Sequence, residues 1–350
     1  MRFVHDTLPQ RVRFASGDAA AQLAEEIEDL GAGRLMVIAG ESAMSQAHHV
    51  ADDLPVTVWH HEVVMHVPGE VARRACQIAR SQEVDAVVSV GGGSTTGLAK
   101  AVALETGLPI IAVPTTYAGS EATNVWGMTE DNLKQTGADP RVLPRTVIYD
   151  AALTLSLPLD MSVASGLNAL AHCIDSMWAP RADPINAALA VEGIRALSAG
   201  LPPVKADPVG LEGREQALYG AYLSAVSFAS AGSGLHHKIC HVLGGMFALP
   251  HAQTHAVVLP HVLAANGPYA PEAEHSIAAA FGSATADEGL RGLRQHLDAP
   301  VALRDFGMPE DGIAPAAQSV LAQAPPANPA PLDTDKLTSL LRAAWEGDMP

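Results

Sequence analysis

Three consecutive glycines, Gly91, Gly92 and Gly93, stand between an unbroken apolar run, DAVVSV (85–90), and an alanine-rich stretch, STTGLAKAVA (94–103). A buried strand that ends in glycine and reopens as a helix makes a turn whose backbone can meet an anion directly. Glycine reaches torsions closed to other residues, and the free N–H groups of the new helix add donors and a positive dipole end. Gly91, Gly92, Gly93 and Ser94 are therefore read as a cradle for the diphosphate of a nucleotide. The order is not G-x-G-x-x-G, so that fingerprint does not apply.

The neighbouring segments repeat the same texture. RLMVIAG (34–40), VTVWH (56–60), PIIAVP (109–114) and RTVIYD (145–150) are strand-sized and mostly continuous in apolar character, as expected of strands covered on both faces. DAAAQLAEEIEDL (18–30) and PGEVARRACQIARS (68–81) read as helices between them. The pattern predicts a doubly wound parallel α/β sheet that binds a dinucleotide. A second loop, PTTYAGSEAT (114–123), follows the next strand and places Thr115, Thr116 and Ser120 at a strand's carboxyl end, where ligands of such sheets sit. Lys100, in the helix after the glycines, is expected to face the cofactor phosphates.

After Asp150 the β-branched runs stop, and Ala- and Leu-rich segments at 163–179, 185–200 and 211–230 predict an all-helical domain. A length of 350 residues exceeds the roughly 250–300 at which single cores stop growing. Two domains are expected, 1–155 and 156–350, hinged near LTLSLPLD (153–160). QAPPANPAPLD (323–333) reads as a rigid loop before a last helix.

Seven histidines fall between 172 and 261. His237 and His241 are four apart, as are His251 and His255, and so are Asn168 and His172, so each pair shares a helical face. Such spacing offers metal ligands or lines a site with acid–base groups. The formal charge of −17 excludes a basic footprint for nucleic acid or an anionic membrane, and any anionic ligand needs local donors. The N-terminus lacks a signal-peptide core and no apolar run reaches the roughly 20 residues of a membrane span, so a soluble cytoplasmic protein is expected. Cys76, Cys173 and Cys240 are far apart and read as idle thiols.

VGGGSTTGLAK, PTTYAGSEAT, DAALTLSLP, SGLNALAHCID and GLHHKICHVLGGMFALPHAQTHAVVLPH together resemble the iron-type (group III) alcohol dehydrogenase superfamily, whose fold is dehydroquinate synthase-like. PTTYAGSE and GLHHKICHVLGG are similar to its maleylacetate reductases in particular. The resemblance implies NADH- or NADPH-dependent reduction of the conjugated alkene of maleylacetate to 3-oxoadipate, in aromatic compound degradation, by a homodimer. It places the superfamily's metal ligands, one aspartate and three histidines, at Asn168, His172, His237 and His251, and the nicotinamide beside His241. A neutral amide at 168 implies that no metal is held, and leaves His172, His237, His241 and His251 to supply protons. Lys238 is then expected to meet a substrate carboxylate. Gly40, Glu41 and Ser42 would meet the adenosine ribose, with Glu41 favouring NADH. The alternatives are a metal-dependent alcohol or polyol dehydrogenase, a lyase on the dehydroquinate synthase scaffold, and a non-catalytic binding protein that has kept the fold.

Overall fold

The computed structural model describes residues 2–130 and 133–350. It divides into two compact units, Thr7–Leu157 and a helical unit made of Pro158–Pro350 with the residues before Thr7. The division falls inside the expected hinge at 153–160. The first residues join the helical unit rather than the α/β unit, because the imidazole of His5 bonds the buried carboxylate of Asp183 at 2.9 Å.

The strands in chain order are β1 (Arg11–Phe14), β2 (Leu35–Ile38), β3 (Val56–His60), β4 (Ala86–Gly91), β5 (Ile110–Pro114), β6 (Val125–Glu130), β7 (Leu133–Ala138) and β8 (Thr146–Tyr149). Six of them form one parallel sheet in the order β1-β8-β5-β4-β2-β3. β6 and β7 pair separately as an antiparallel hairpin. Helices α1 (Ala19–Leu30) and α2 (Met44–Ala51) pack on one face of the sheet, where Leu35, Val37, Val88 and Val90 point. Helices α3 (Gly69–Ser81) and α4 (Gly93–Thr106) cover the other, filled by Met36, Ile38 and Val87. Alternate residues of one strand thus feed two separate cores, which is why these strands read as continuous apolar runs.

The chain steps outward from β2 to β3 and then returns to place β4 on the other side of β2. The direction of winding reverses between β2 and β4. In open α/β sheets the ligand crevice lies at the carboxyl ends of the strands flanking such a switch point. Here those ends lead into Gly40–Ser42 and Gly91–Ser94.

The helical unit holds α5 (Leu159–Ser176), α6 (Pro184–Ala206), α7 (Leu211–Ala231), α8 (Leu235–Phe247), α9 (His251–Asn266), α10 (Pro271–Phe281), α11 (Ala286–His296), α12 (Ile313–Gln323) and α13 (Thr334–Glu346). α5 is its axis, buried without interruption from Ser162 to Ser176. A core of Leu235, Ile239, Leu243, Val258, Val262, Leu337 and Leu341 joins α8, α9 and α13. All three cysteines are free and buried. Among the described residues no helix is long and apolar enough to cross a membrane.

Candidate active site

β4 delivers the chain into the glycine turn with Gly91 at φ +151°, a conformation that L side chains rarely adopt. A Cβ at Gly91 would lie 2.5 Å from Oγ1 of Thr95, so the next turn of helix leaves it no room. Gly92 is the extended N-cap of α4, and no side chain caps the helix. A helix end with open N–H groups suits an anion, which is the role expected of this turn from the sequence. The second loop lies directly on the first. The amide of Thr115 donates to the carbonyl of Gly91 at 3.0 Å, and a Cβ at Gly92 would fall 2.9 Å from Cγ2 of Thr116. Thr116 and Ser120 are half-buried and Thr115 is buried. Glu41 and Ser42 are exposed after β2, with Gly40 extended before them. Gly91→Ala is expected to raise the Kd for NADH by about tenfold or more and to cost on the order of 1–3 kcal/mol of stability. Fluorescence titration and thermal melting check this, and unchanged values in both would show that the turn relaxes freely.

Lys100 does not face the phosphate end. It is fully buried, and its ammonium donates to the carbonyl of Thr123 (2.8 Å), to Oγ1 of Thr123 (3.0 Å) and to the carbonyl of Val125 (2.7 Å). Seven residues along α4 from its start, it lies about 10 Å from the helix N-terminus. Burial drives its pKa down to about 7 and the buried Glu121 opposes the shift.

In the helical unit the histidines converge. The rings of His172 and His237 lie 4.9 Å apart and nearly parallel, and Phe228 from α7 packs 4.9 Å from the first and 4.3 Å from the second. His241 lies 6.1 Å from His237, one turn further along α8. His251, at the start of α9, sits 4.3 Å from His255, which is 5.0 Å from His237 and 6.3 Å from His172. The fold thus brings all four expected histidines into one cluster. His172 and His237 are buried, His241 is half-buried and His251 is exposed. Lys238 is half-buried, and its charge reaches His237.

Two groups there were not anticipated. The first is Asp175, one turn beyond His172 on α5. Its Oδ2 accepts from Nδ1 of His237 at 2.7 Å and from the amide of Gly234 at 2.8 Å, and its Oδ1 from the amide of His236 at 3.4 Å. It therefore caps α8 and orients His237 together. Only glycine fits at 234, since a Cβ there would stand 2.4 Å from Oδ1 of Asp175. Burial raises the pKa of Asp175, and the N–H donors around it oppose this. The amides of Gly234 and His236 can only donate, one to each oxygen, and this favours the anion, so we read the group as a carboxylate. A carboxylate only accepts, so Nδ1 of His237 carries the proton and Nε2 a lone pair. That Nε2 is buried without a protein partner.

The second is a layer made by His236 and His255, whose Nε2 and Nδ1 lie 2.9 Å apart, with Sγ of Cys240 3.6 Å from the same Nε2. Burial, and then the other histidines, hold His172, His237 and His255 well below the ordinary imidazole range, and His236 at about 3. All four are neutral at pH 7. The sequence signal for Asp175 was its i, i+3 spacing from His172, and for His236 its adjacency to His237, which puts the two on different faces of α8.

A glycine turn at the switch point of a parallel sheet and a buried histidine cluster on helices suit a nucleotide-dependent oxidoreductase. Residues 9–151 match the iron-containing alcohol dehydrogenase family and residues 162–345 the C-terminal part of the Fe-containing alcohol dehydrogenase family. The chain belongs to the iron-containing alcohol dehydrogenase family. It is 46% identical over 351 residues to a maleylacetate reductase of Burkholderia cepacia, covering 99% of each chain. It superposes on the crystal structure of an iron-containing alcohol dehydrogenase from Corynebacterium glutamicum with a TM-score of 0.98 at 62% identity, covering 99% and 98% of the two chains. For maleylacetate reductase from Agrobacterium tumefaciens the TM-score is 0.94 at 42% identity, with both chains covered in full. The likeness to maleylacetate reductases read from the motifs is borne out, as is the fold.

The family's name points to iron, and the comparisons give no support to the expectation of a metal-free site. The side chains decide the fit. Asn168, His172, His237 and His251 offer an amide oxygen and three imidazoles, and Oδ1 of Asn168 is buried with no partner. None of these four donors is anionic, and a ferrous ion would keep its full double charge. The nearest carboxylate, Asp175, is already committed to His237 and α8. The set does not fit iron.

Proposed function

We infer that this oxidoreductase is a maleylacetate reductase that works without a resident metal, and that it acts as a homodimer on a small dicarboxylate. The observation that carries the reading is the buried neutral histidine cluster with Asn168 in place of an anionic ligand, in a chain alike over its whole length to enzymes of that name.

Maleylacetate carries an alkene conjugated to a ketone and flanked by carboxylates. A reduced nicotinamide, when bound, would supply a hydride to the alkene carbon β to the ketone. Negative charge then builds on the ketone oxygen, and 3-oxoadipate forms when the adjacent carbon takes a proton. His237 is not the donor, because Asp175 fixes its proton on Nδ1 and leaves a lone pair on Nε2. His172, neutral and with no protein partner on its buried Nδ1, can offer an N–H to the enolate oxygen. His241, half-buried and so nearer to water, delivers the proton to carbon. Lys238 supplies the cation for one carboxylate. The neutral imidazoles of His236, His237 and His255 beside them keep the charge of the oxyanion poorly screened, so each donated hydrogen bond counts for more than in water. Glu41, exposed after β2, favours NADH by accepting from a ribose hydroxyl and repelling a 2′-phosphate.

Purified protein given maleylacetate is expected to oxidise NADH at a rate undiminished by a chelator, and His241→Ala to lower turnover by a factor of about 100 or more. Turnover of simple alcohols that a chelator abolishes, with no reaction on maleylacetate, would sink the reading in favour of a metal-dependent dehydrogenase. A near-normal rate for the alanine variant would remove His241 from the mechanism.

A further inference from the structure

We propose that Lys100 is a positioning residue for the cofactor, pinning the loop that carries Thr115, Thr116 and Ser120 to the same helix that begins at the glycine turn. The inference rests on the reading of these two loops as the cofactor site.

The two loops touch at one end through backbone and side-chain contacts. The amide of Thr115 meets the carbonyl of Gly91, and the side chain of Thr116 packs on Gly92. From there the chain runs through a 3-10 turn at Ser120–Ala122 and enters β6 at Val125. That exit is where Lys100 acts. An ammonium has three protons, and the three oxygens around this one are two carbonyls and a hydroxyl of Thr123 and Val125. The bond network continues inward from the same threonine, whose Oγ1 also donates to the carbonyl of Ser120 at 3.2 Å and accepts from the amide of Val125 at 3.3 Å. Ser120 is one of the residues expected to meet the cofactor, so the pin ends one hydrogen bond away from it.

The countercharge lies in the loop as well. Glu121, buried in the 3-10 turn, accepts from the hydroxyl of Tyr149 on β8 at 2.8 Å, and its backbone carbonyl accepts from Gln10 at 2.9 Å. The loop is therefore held from below by β8 and the chain before β1, and from the side by Lys100. An apolar side chain at position 100 would leave the carbonyls of Thr123 and Val125 without this donor, and the loop could then satisfy them only by moving toward water. Such a movement shifts Ser120 and Thr116 relative to the glycine turn while the histidine cluster, in the other unit, keeps its own contacts. The signature is a loss of cofactor affinity with the chemical step preserved.

Lys100→Met and Thr123→Val test this with the full-length protein, NADH as the probe, and maleylacetate as the substrate for turnover. The expected result is a Kd for NADH raised about tenfold or more in Lys100→Met and several-fold in Thr123→Val, with kcat at saturating NADH within about threefold of wild type. Unchanged Kd in the variants, or a fall in kcat with Kd preserved, overturns the inference even where the melting temperature drops. If Lys100→Met does not fold, Thr123→Val reads the same loop with the charge kept, and an unchanged Kd there overturns it. Failure of the wild type to bind NADH overturns the cofactor reading and the inference with it, whereas binding by the wild type isolates the question to Lys100.

Discussion

Asp175→Asn is expected to lower turnover by roughly three orders of magnitude while leaving the helical unit folded. The carboxylate accepts from His237 and from two amides at the start of α8, and an asparagine can offer only one oxygen for these donors. If that oxygen takes the place of Oδ1 and serves the amide of His236, the new NH₂ faces His237 and forces the proton onto Nε2. The lone pair that lines the site is then lost, and the imidazole presents the opposite character to the substrate. Nitrogen chemical shifts of the histidine ring report the tautomer directly. A variant with wild-type turnover, or one that loses turnover with the His237 tautomer unchanged, would show that Asp175 is only a helix cap.

A second large effect is expected in acid. His172, His236, His237 and His255 are each fully buried and each has its pKa depressed below that of an unfolded imidazole. A depressed histidine keeps its contribution above the unfolded pKa, about 6.5, and loses it as pH falls from there toward the folded value, because the unfolded chain takes up protons that the folded one refuses. Each group sheds about 1.4 kcal/mol per pH unit in that window. Four of them together would remove on the order of 5 kcal/mol per unit, against a total stability of about 5–15 kcal/mol for a folded domain. The helical unit should therefore unfold cooperatively about one to three units below pH 6.5. Circular dichroism against pH checks this, and a flat signal down to about pH 3.5 would mean that the cluster opens to water without unfolding.

Much of the α/β unit was readable because its strands are covered on both faces, so that burial shows in composition without any need for periodicity. β1 escaped for the complementary reason. RVRF alternates charge and apolar residues at the sheet's edge, and Arg11 and Arg13 point outward to Glu25, Glu26 and Asp29 on α1. The β6–β7 hairpin also escaped, since VWGMTE and LKQTGA are only weakly apolar. In the site, i, i+4 spacing correctly grouped His237 with His241 and His251 with His255, because such pairs share a helical face whatever the tertiary fold. Spacing could not say that α5 would bring Asp175 under the start of α8, since that contact spans 62 residues. Lys100 failed differently. Its place in the helix after the glycines suggested a phosphate ligand, but the direction of a side chain around a helix buried on several sides is set by the neighbours, and Thr123 and Val125 at the entry to β6 supplied the acceptors.

The bond between His5 and Asp183 makes the α/β unit an insertion, in sequence, between the opening residues of the helical unit and all the rest of it. On the ribosome this fixes an order of events. The α/β unit is complete when the chain reaches residue 157, while the opening segment must wait until Asp183 has been made and has capped α6 through the amides of Ile185 and Asn186. Residues made ahead of the α/β unit thus find their place only after it.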